Sequence, residues 1–530
     1  MLKFKRLNFY SMKYMFLFWA SLFLQAHFLA QPTIQWQKTF GGNFYDEPKC
    51  IIQTSDGGYI VTGNTLSLNG DVIGNHGNFD FWVIKLNESG ALEWKKTFGG
   101  DNSDWPYAIR QTVDGGYIIA GETYSNNEDV SGNHGDKDAW IVKLKSDGNI
   151  EWQKTYGGTA LEEAVDIQQT IDGGYIFAGI ASSSNGDVTG VYGDWDFWVV
   201  KLNQSGIIEW QKTFGGTYRD NANAIQQTSD GGYIVAGETL SYDGDVAFNN
   251  GNVDGWIIKL SSDGAIEWQK SLGGNALDTS TDVHQTSEGG FIVAGLTGSL
   301  NSGDVTENHG IFDFWVVKLN NSGQIEWQKA LGGSEPDRCR NIVPTNDGMY
   351  VAFGQTESTD GDVANNDGGA DFWIVKLGAT GDIIWQKTLG GTKAESGRSI
   401  QQTTDNGYIL TGYTWSTDGD LTGSTNHGQN DFWVVKLAPE TVGVTETPNP
   451  LVGQLEVFPN PAQQSFTLKT GSDASELRVV MTDVLGRRLL EKNIPNGGSI
   501  HMGSLPDGVY WVQATDERGR IYAARLRKKV

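Results

Sequence analysis

Carboxylates recur along this sequence at spacings that could gather cations or protons. One acid stands four residues after each Gly-Gly pair: Asp46, Asp104, Glu162, Asp220, Asp278, Asp337 and Glu395. Set around one mouth of a channel about 9 Å apart, neighbours would repel by only about 0.5 kcal/mol at water-like dielectric. Such a ring would attract cations weakly and need no metal. The reading these residues favour is plainer, an Asp that caps the backbone where a strand begins. A second register, in GDV-type loops, holds Asp71, Asp129, Asp187, Asp245, Asp304, Asp362 and Asp420. Asp243, Asp360 and Asp418 add an acid two residues before Asp245, Asp362 and Asp420, making these six the candidate Ca2+ ligands. Calcium takes six to eight oxygens, and this pattern is shorter than an EF-hand loop and lacks its distant Glu, so turn formation is favoured over a cofactor. A third register precedes an aromatic residue: Asp80, Asp138, Asp196, Asp254, Asp313, Asp371 and Asp431.

Other chemistries find less support. His76, His134, His309 and His427 lie one per repeat in NHG loops, too dispersed to converge on zinc. Two cysteines, Cys50 and Cys339, form no CxxC, and no HExxH occurs. Trp105 and Trp195 depart from the repeat near loops and are candidate contacts for a sugar ring or a peptide, with ordinary rim packing as the alternative. No catalytic residue is assigned.

The elements that must position these groups follow from an internal repeat. The string W-Q/K-K falls at Trp36, Trp94, Trp152, Trp210, Trp268, Trp327 and Trp385, at intervals of 58 or 59 residues. A second Trp register runs from Trp82 to Trp433, and hairpin signals of the form QTsDGGYIvAG lie between the two. Each unit reads as four strands. Strand A is short, as in 224–228, and a DGG turn leads to strand B at 232–238. Strand C follows at 255–260 and strand D at 266–274. Strands B and C are near-continuous apolar runs, as strands covered on both faces should be.

Four-stranded units too small for separate cores, burying both faces against neighbours, predict an all-β, seven-bladed β-propeller. The segment 33–42 is a strand D without A, B or C before it, and 431–437 ends a unit lacking D. The N-terminal strand should therefore close the ring. Seventy glycines and 11% aromatic residues agree with tight turns between packed strands, and the net charge of −25 excludes a nucleic-acid partner.

The two ends read differently. Lys3, Lys5, Arg6 and Lys13 precede an apolar run from Met15 to Leu24, the pattern of a cleaved signal peptide over 1–30. No later segment is long enough to span a membrane. The propeller is expected at 31–437, a Pro/Thr-rich linker at 438–454 and a small C-terminal β-sandwich at 455–530.

The repeat resembles those of secreted bacterial and archaeal propellers. It also loosely resembles the tryptophan-docking repeat of quinoprotein propellers, with Asn203, Gly206 and Trp210 in comparable places, in a turn one residue shorter. At the C-terminus, Phe458-Pro459-Asn460-Pro461, Asp483, Gly486, Gly508-Val509-Tyr510 and Lys528-Lys529 resemble the type A sorting domain of the type IX secretion system. That resemblance implies the type IX secretion machinery as partner, a Bacteroidetes-type bacterium as source, and the outer cell surface or medium as destination. The units differ by one or two residues in length and none has a long insertion. A non-enzymatic propeller binding glycan or protein is therefore expected, with a polysaccharide hydrolase or lyase as the alternative.

Overall fold

In the computed structural model the described residues are 31–440, 455–470, 475–482, 488–503, 505–517 and 521–529. The signal-peptide stretch 1–30, nearly all of the linker, Asp483 and Gly486 lie outside them. The chain divides into two compact units, Met1–Val442 and Gly443–Val530.

The first unit holds seven four-stranded antiparallel sheets. Six are built from consecutive strands in the order A-B-C-D, as in Asp220–Gln227, Tyr233–Thr239, Asp254–Leu260 and Ile266–Leu272. The seventh takes A, B and C from Glu395–Gln402, Tyr408–Thr414 and Asp431–Leu437, and its D from Ile34–Phe40. Trp36 pairs there with Lys436 and Phe40 with Phe432. The ring is closed on its inner side as well. The Gln53 amide donates to Gln401 Oε1 at 2.6 Å, and Thr404 N donates to Gln53 Oε1 at 2.8 Å. The fold is a seven-bladed β-propeller latched by its N-terminal strand.

Local chemistry explains each blade. In the A–B turn, Asp230 Oδ1 accepts from Gly232 N and Thr228 Oγ1, while Gly231 adopts φ +84°, which favours glycine. Strands B and C are buried along nearly their whole length, and even the strand C lysine is buried. Lys259 Nζ reaches Asp230 at 3.0 Å and Glu267 of strand D at 3.0 Å. The same cation pairs with turn and strand D acids at Lys85, Lys143 and Lys201. In blade six strand D has Ile384, and in blade seven Gln35, where the other five have Glu; Lys376 of blade six instead meets Glu440, in the segment leaving the ring, at 2.7 Å.

Blade junctions are sealed by the repeated tryptophans of strand D. Each packs on the strand B aromatic of the next blade, edge-on in six blades and tilted at Trp327–Tyr350, from Trp94–Tyr117 at 6.1 Å to Trp36–Tyr59 at 5.5 Å across the closure. Such a pair adds about 0.5–1.5 kcal/mol beyond its buried area. Gly206 belongs to this device, but its Cα packs on Trp152 of the preceding blade, whereas Trp210 receives Gly264. A Cβ at either glycine would press on the indole at 3.0–3.1 Å, and the backbone φ of +70° and +80° favours glycine there as well.

Strand A departs from expectation. It spans eight residues and begins at the acid repeated four residues after Gly-Gly, as in Asp220–Gln227, because Asp220 pairs with Thr239 at the end of strand B. Its register also slips once, between the third and fifth residues, in all seven blades. That slip is a β-bulge with one unpaired residue.

The second unit packs a three-stranded sheet, Leu455–Phe458, Ser465–Thr470 and Ser499–His501, with a four-stranded one, Glu476–Thr482, Arg488–Pro495, Gly508–Asp516 and Ile521–Lys528. Phe466, Leu468, Val479, Met481 and Leu526 fill the core between them.

Candidate functional site

The innermost strand of each blade is A, and the seven A strands surround an axial cavity of about 370 Å³. The bulge aims one side chain per blade into it: Lys49, Tyr107, Val165, Asn223, Thr281, Arg340 and Arg398. Two positions further on, every blade has Ile or Val (Ile51, Ile109, Ile167, Ile225, Val283, Ile342, Ile400). The repeat is thus kept where blades pack and abandoned where they face the axis.

The residue after the bulge stitches neighbouring A strands. Asp166 accepts from Ile225 N, Asp282 from Ile342 N, Asn341 from Ile400 N and Ser399 from Ile51 N. Two charges here are internally compensated. Arg110 donates to Asp166 at 2.7 Å and to the Cys50 sulfur at 3.3 Å, and although burial opposes it, the Asp166 carboxylate raises the Arg110 pKa. His284 lies 3.4 Å from Asp282, which raises the imidazole pKa although burial opposes it. Burial raises the Asp166 carboxyl, and lifts the Cys339 thiol to about 12.

The other wall is cationic. Arg340, Arg398 and Lys49 come from consecutive blades six, seven and one. Lys49 Nζ holds Glu47 at 3.2 Å, yet burial, then Arg398, lowers its pKa. Burial and the neighbouring Arg398 and Arg338 bring Arg340 down to about 10. Among the described residues neither Arg340 nor Arg398 has a carboxylate within 4 Å, and the Nε of each is buried without a partner. Arg398 stands over the Tyr413 ring at 5.3 Å. None of these bulge residues was singled out by sequence reasoning. Aligning the seven A strands and seeking the column that varies most would have found them.

The repeated acids lie elsewhere. The register four residues after Gly-Gly does not line a channel mouth; it is fully buried, each side chain accepting hydrogen bonds at a blade junction. Asp104 takes the Gly100 amide at 2.8 Å, Ser125 Oγ at 2.9 Å and the Thr123 hydroxyl. The acid that opens strand C of the preceding blade, here Asp80, stands on the other side of Gly99, and a methyl group on that glycine would collide with both carboxylates. This arrangement repeats at all seven junctions, and Oδ1 of the strand C acid is buried without a partner at each. The NHG histidines cap the same acids: His76 Nδ1 lies 2.8 Å from Asp80 and His309 Nδ1 2.7 Å from Asp313.

In the GDV-type loops, Asp243 and Asp418 accept from the amide and hydroxyl of Thr217 and Thr392, and Asp360 accepts from Ser334 N. Asp245, Asp362 and Asp420 accept from the glycine amides at 215, 332 and 390. Among the described residues no three His, Cys, Asp or Glu side chains converge. Trp105, about one-third exposed, stands edge-on to Phe79, while Arg219 covers Trp195 at 4.2 Å. They occupy different junctions and share no contact.

In the C-terminal unit, Phe458, Pro459, Asn460 and Pro461 form an exposed turn. Asn460 ties it to the last strand, donating to Arg525 O and accepting from Arg527 N. Gly508 opens a strand, the Tyr510 hydroxyl donates to Pro506 O, and Lys528 Nζ donates to Gly503 O at 3.3 Å and to Leu505 O. Lys529 is exposed, its amide donating to Ala462 O.

Residues 456–526 match the family model described as the secretion system C-terminal sorting domain. The C-terminal unit is a type IX sorting domain, and the protein is directed to the cell surface or the extracellular space. No curated protein matches the chain. Among solved structures, puromycin hydrolase is 12% identical over 81% of this chain, with a TM-score of 0.44. The chain spans 60% of that protein. The Neurospora crassa Pan2 WD40 domain is 11% identical, covering 75% of this chain and 91% of its own, with a TM-score of 0.39. A member of the duf4221 family from Bacteroides vulgatus is 9% identical over 78% of this chain and 98% of its own, with a TM-score of 0.34. Likenesses this weak carry nothing about activity or ligand. Among the described residues no helix is long and apolar enough to cross a membrane.

Proposed function

We propose that this is a non-enzymatic ligand-binding propeller of a Bacteroidetes-type cell surface, with its ligand seat in the axial channel. One observation carries the reading: seven equivalent bulges deliver Lys, Tyr, Val, Asn, Thr, Arg and Arg to the axis, whereas the packing positions of the same strands stay nearly constant. A purely architectural ring has no need of seven different residues there, and bulges commonly re-aim side chains at sites. A cavity of about 370 Å³ falls within the usual range for small-ligand pockets, about 300–1,000 Å³. The channel carboxylates favour binding over hydrolysis or lyase chemistry, because Asp166 and Asp282 are both tied to backbone amides and to a cation.

Purified protein incubated with polysaccharide and peptide panels should retain ligand without cleaving it. Asn223→Trp, which fills the cavity from one bulge, should abolish retention and leave the melting temperature within a few degrees. Retention unaffected by Asn223→Trp would remove the channel from the function, and cleavage products would make the protein an enzyme.

A further inference from the structure

The charges in the axial channel select among ligands, on the premise that this channel is the ligand seat. Sixty-four acids against 39 lysines and arginines leave this chain rich in carboxylates. Among the described residues of the propeller, the other buried lysines and Arg110 each have one: every strand C lysine, Arg110 with Asp166, Lys137 with Glu122 at 3.0 Å. Arg340 and Arg398 do not. They line one cavity with Lys49 from adjacent blades, near enough that Arg398 disfavours the Arg340 charge, with two orphaned Nε–H groups and no side-chain hydrogen bond among the described residues. Leaving two guanidinium groups together and unpaired costs stability unless an anion joins them. A guanidinium presents a planar fork of donors that fits carboxylate, sulfate or phosphate oxygens two at a time.

The neighbouring walls indicate what carries the anion. Tyr413 underlies Arg398, and from other bulges come the Tyr107 ring, whose hydroxyl donates to Glu122, and the acceptor oxygens of Asn223 and Thr281, whose amide nitrogen and hydroxyl donate to Ser280 O and Cys339 O. An aromatic ring and acceptor oxygens match the ring faces and hydroxyls of a sugar. We propose that the channel binds the oxyanion of an acidic sugar, a uronate carboxylate or a sulfate ester, with Arg340 and Arg398 as the fork and Lys49 as a flanking charge.

Titration calorimetry on the mature full chain tests this with four probes: oligogalacturonate, a sulfated oligosaccharide without carboxylates, neutral cellohexaose and oligoglutamate. At least one acidic oligosaccharide should bind tenfold or more tighter than cellohexaose, and its affinity should fall as salt rises. The carboxylate and sulfate arms identify the anion. Arg340→Gln with Arg398→Gln should cut that affinity at least tenfold while the melting temperature holds or rises, because a like-charge contact is removed. If this double variant does not fold, the wild-type chain decides. Galacturonate or sulfate at a few millimolar, too dilute for the general stabilising action of sulfate, should raise its melting temperature above that in chloride at equal ionic strength, and no excess rise overturns the proposal. Equal affinity for neutral and acidic sugars, binding of oligoglutamate alone, or an unaffected double variant also overturns it. Neutral sugar whose binding Asn223→Trp abolishes would overturn the anion and leave the channel as the ligand seat.

Discussion

The carboxylates that dominate the sequence do their work at blade junctions, and their cost there is a pH dependence. Burial raises Asp46, Asp80, Asp104, Asp254 and Asp337 to about 6, and Asp196 and Asp371 to about 7. In an unfolded chain these groups titrate near pH 4. A carboxyl whose folded value is the higher one prefers the protonated fold, so stability declines as pH rises from about 4 to about 7. Each such site costs the ionised fold on the order of 1–3 kcal/mol. The turn acids Asp56, Asp114, Asp172 and Asp230 run the other way: bonds to the turn hydroxyl, the turn amide and the strand C lysine outweigh desolvation and hold them at about 2. Their contribution is lost as pH falls through 4 towards 2. Melting temperature should therefore peak between about pH 4 and 5, several degrees above its value at pH 8. Asp196→Asn should raise the melting temperature at pH 8 and leave it nearly unchanged at pH 4.5. A flat profile in differential scanning calorimetry would show that the junctions are not the pH-sensitive groups.

At the scale of the strand, the blade was legible and the bulge was not. Spacing, turn chemistry and apolar runs placed strands B, C and D because those features repeat and packing enforces them. From the sequence strand A reads as short because its first half mixes Asp, Asn, Thr, Arg and Ser; the structure shows those residues paired with strand B up to the bulge. A period-two reading cannot see an inserted residue that turns a side chain towards the axis. Repetition exposes architecture, while the candidate site consists of what fails to repeat. The buried strand C lysine was likewise hidden inside an apolar run, though its partners in the DGG turn and in IEWQK were in view. Neutralising both partners of Lys259, by Asp230→Asn with Glu267→Gln, should cost roughly 2–3 kcal/mol, below the 3–5 of a fully buried pair because both acids are about half exposed. Lys259→Met should be nearly neutral. Urea denaturation of the two variants checks the contrast. Deleting residues 31–42 should cost more than either, since it removes the latch strand and the Trp36–Tyr59 seal together.

For the whole molecule, destination and ligand are carried by separate units. A chain ending at residue 440 keeps every propeller strand and Glu440, so it should fold with an unchanged melting temperature and fail to reach the medium. Cell fractionation with an immunoblot reads both outcomes. If the shortened chain still reaches the surface, the sorting unit is dispensable for export. Chelation should scarcely alter the melting temperature of the intact protein, because the GDV-type acids already accept backbone amides. A drop of many degrees would instead make Asp243, Asp360 and Asp418 calcium ligands.

The latch also sets a timetable. Gln37 waits for Trp433, 396 residues downstream, before its side chain can accept the indole N–H. At about 5–20 residues per second, the strand made first is idle for roughly 20–80 s. Until then six blades can form in sequence, while the seventh keeps an open edge and the row of junctions stays unsealed at both ends. The chain therefore passes much of its synthesis as an unfastened string of blades, and it becomes a ring only when the last blade is complete.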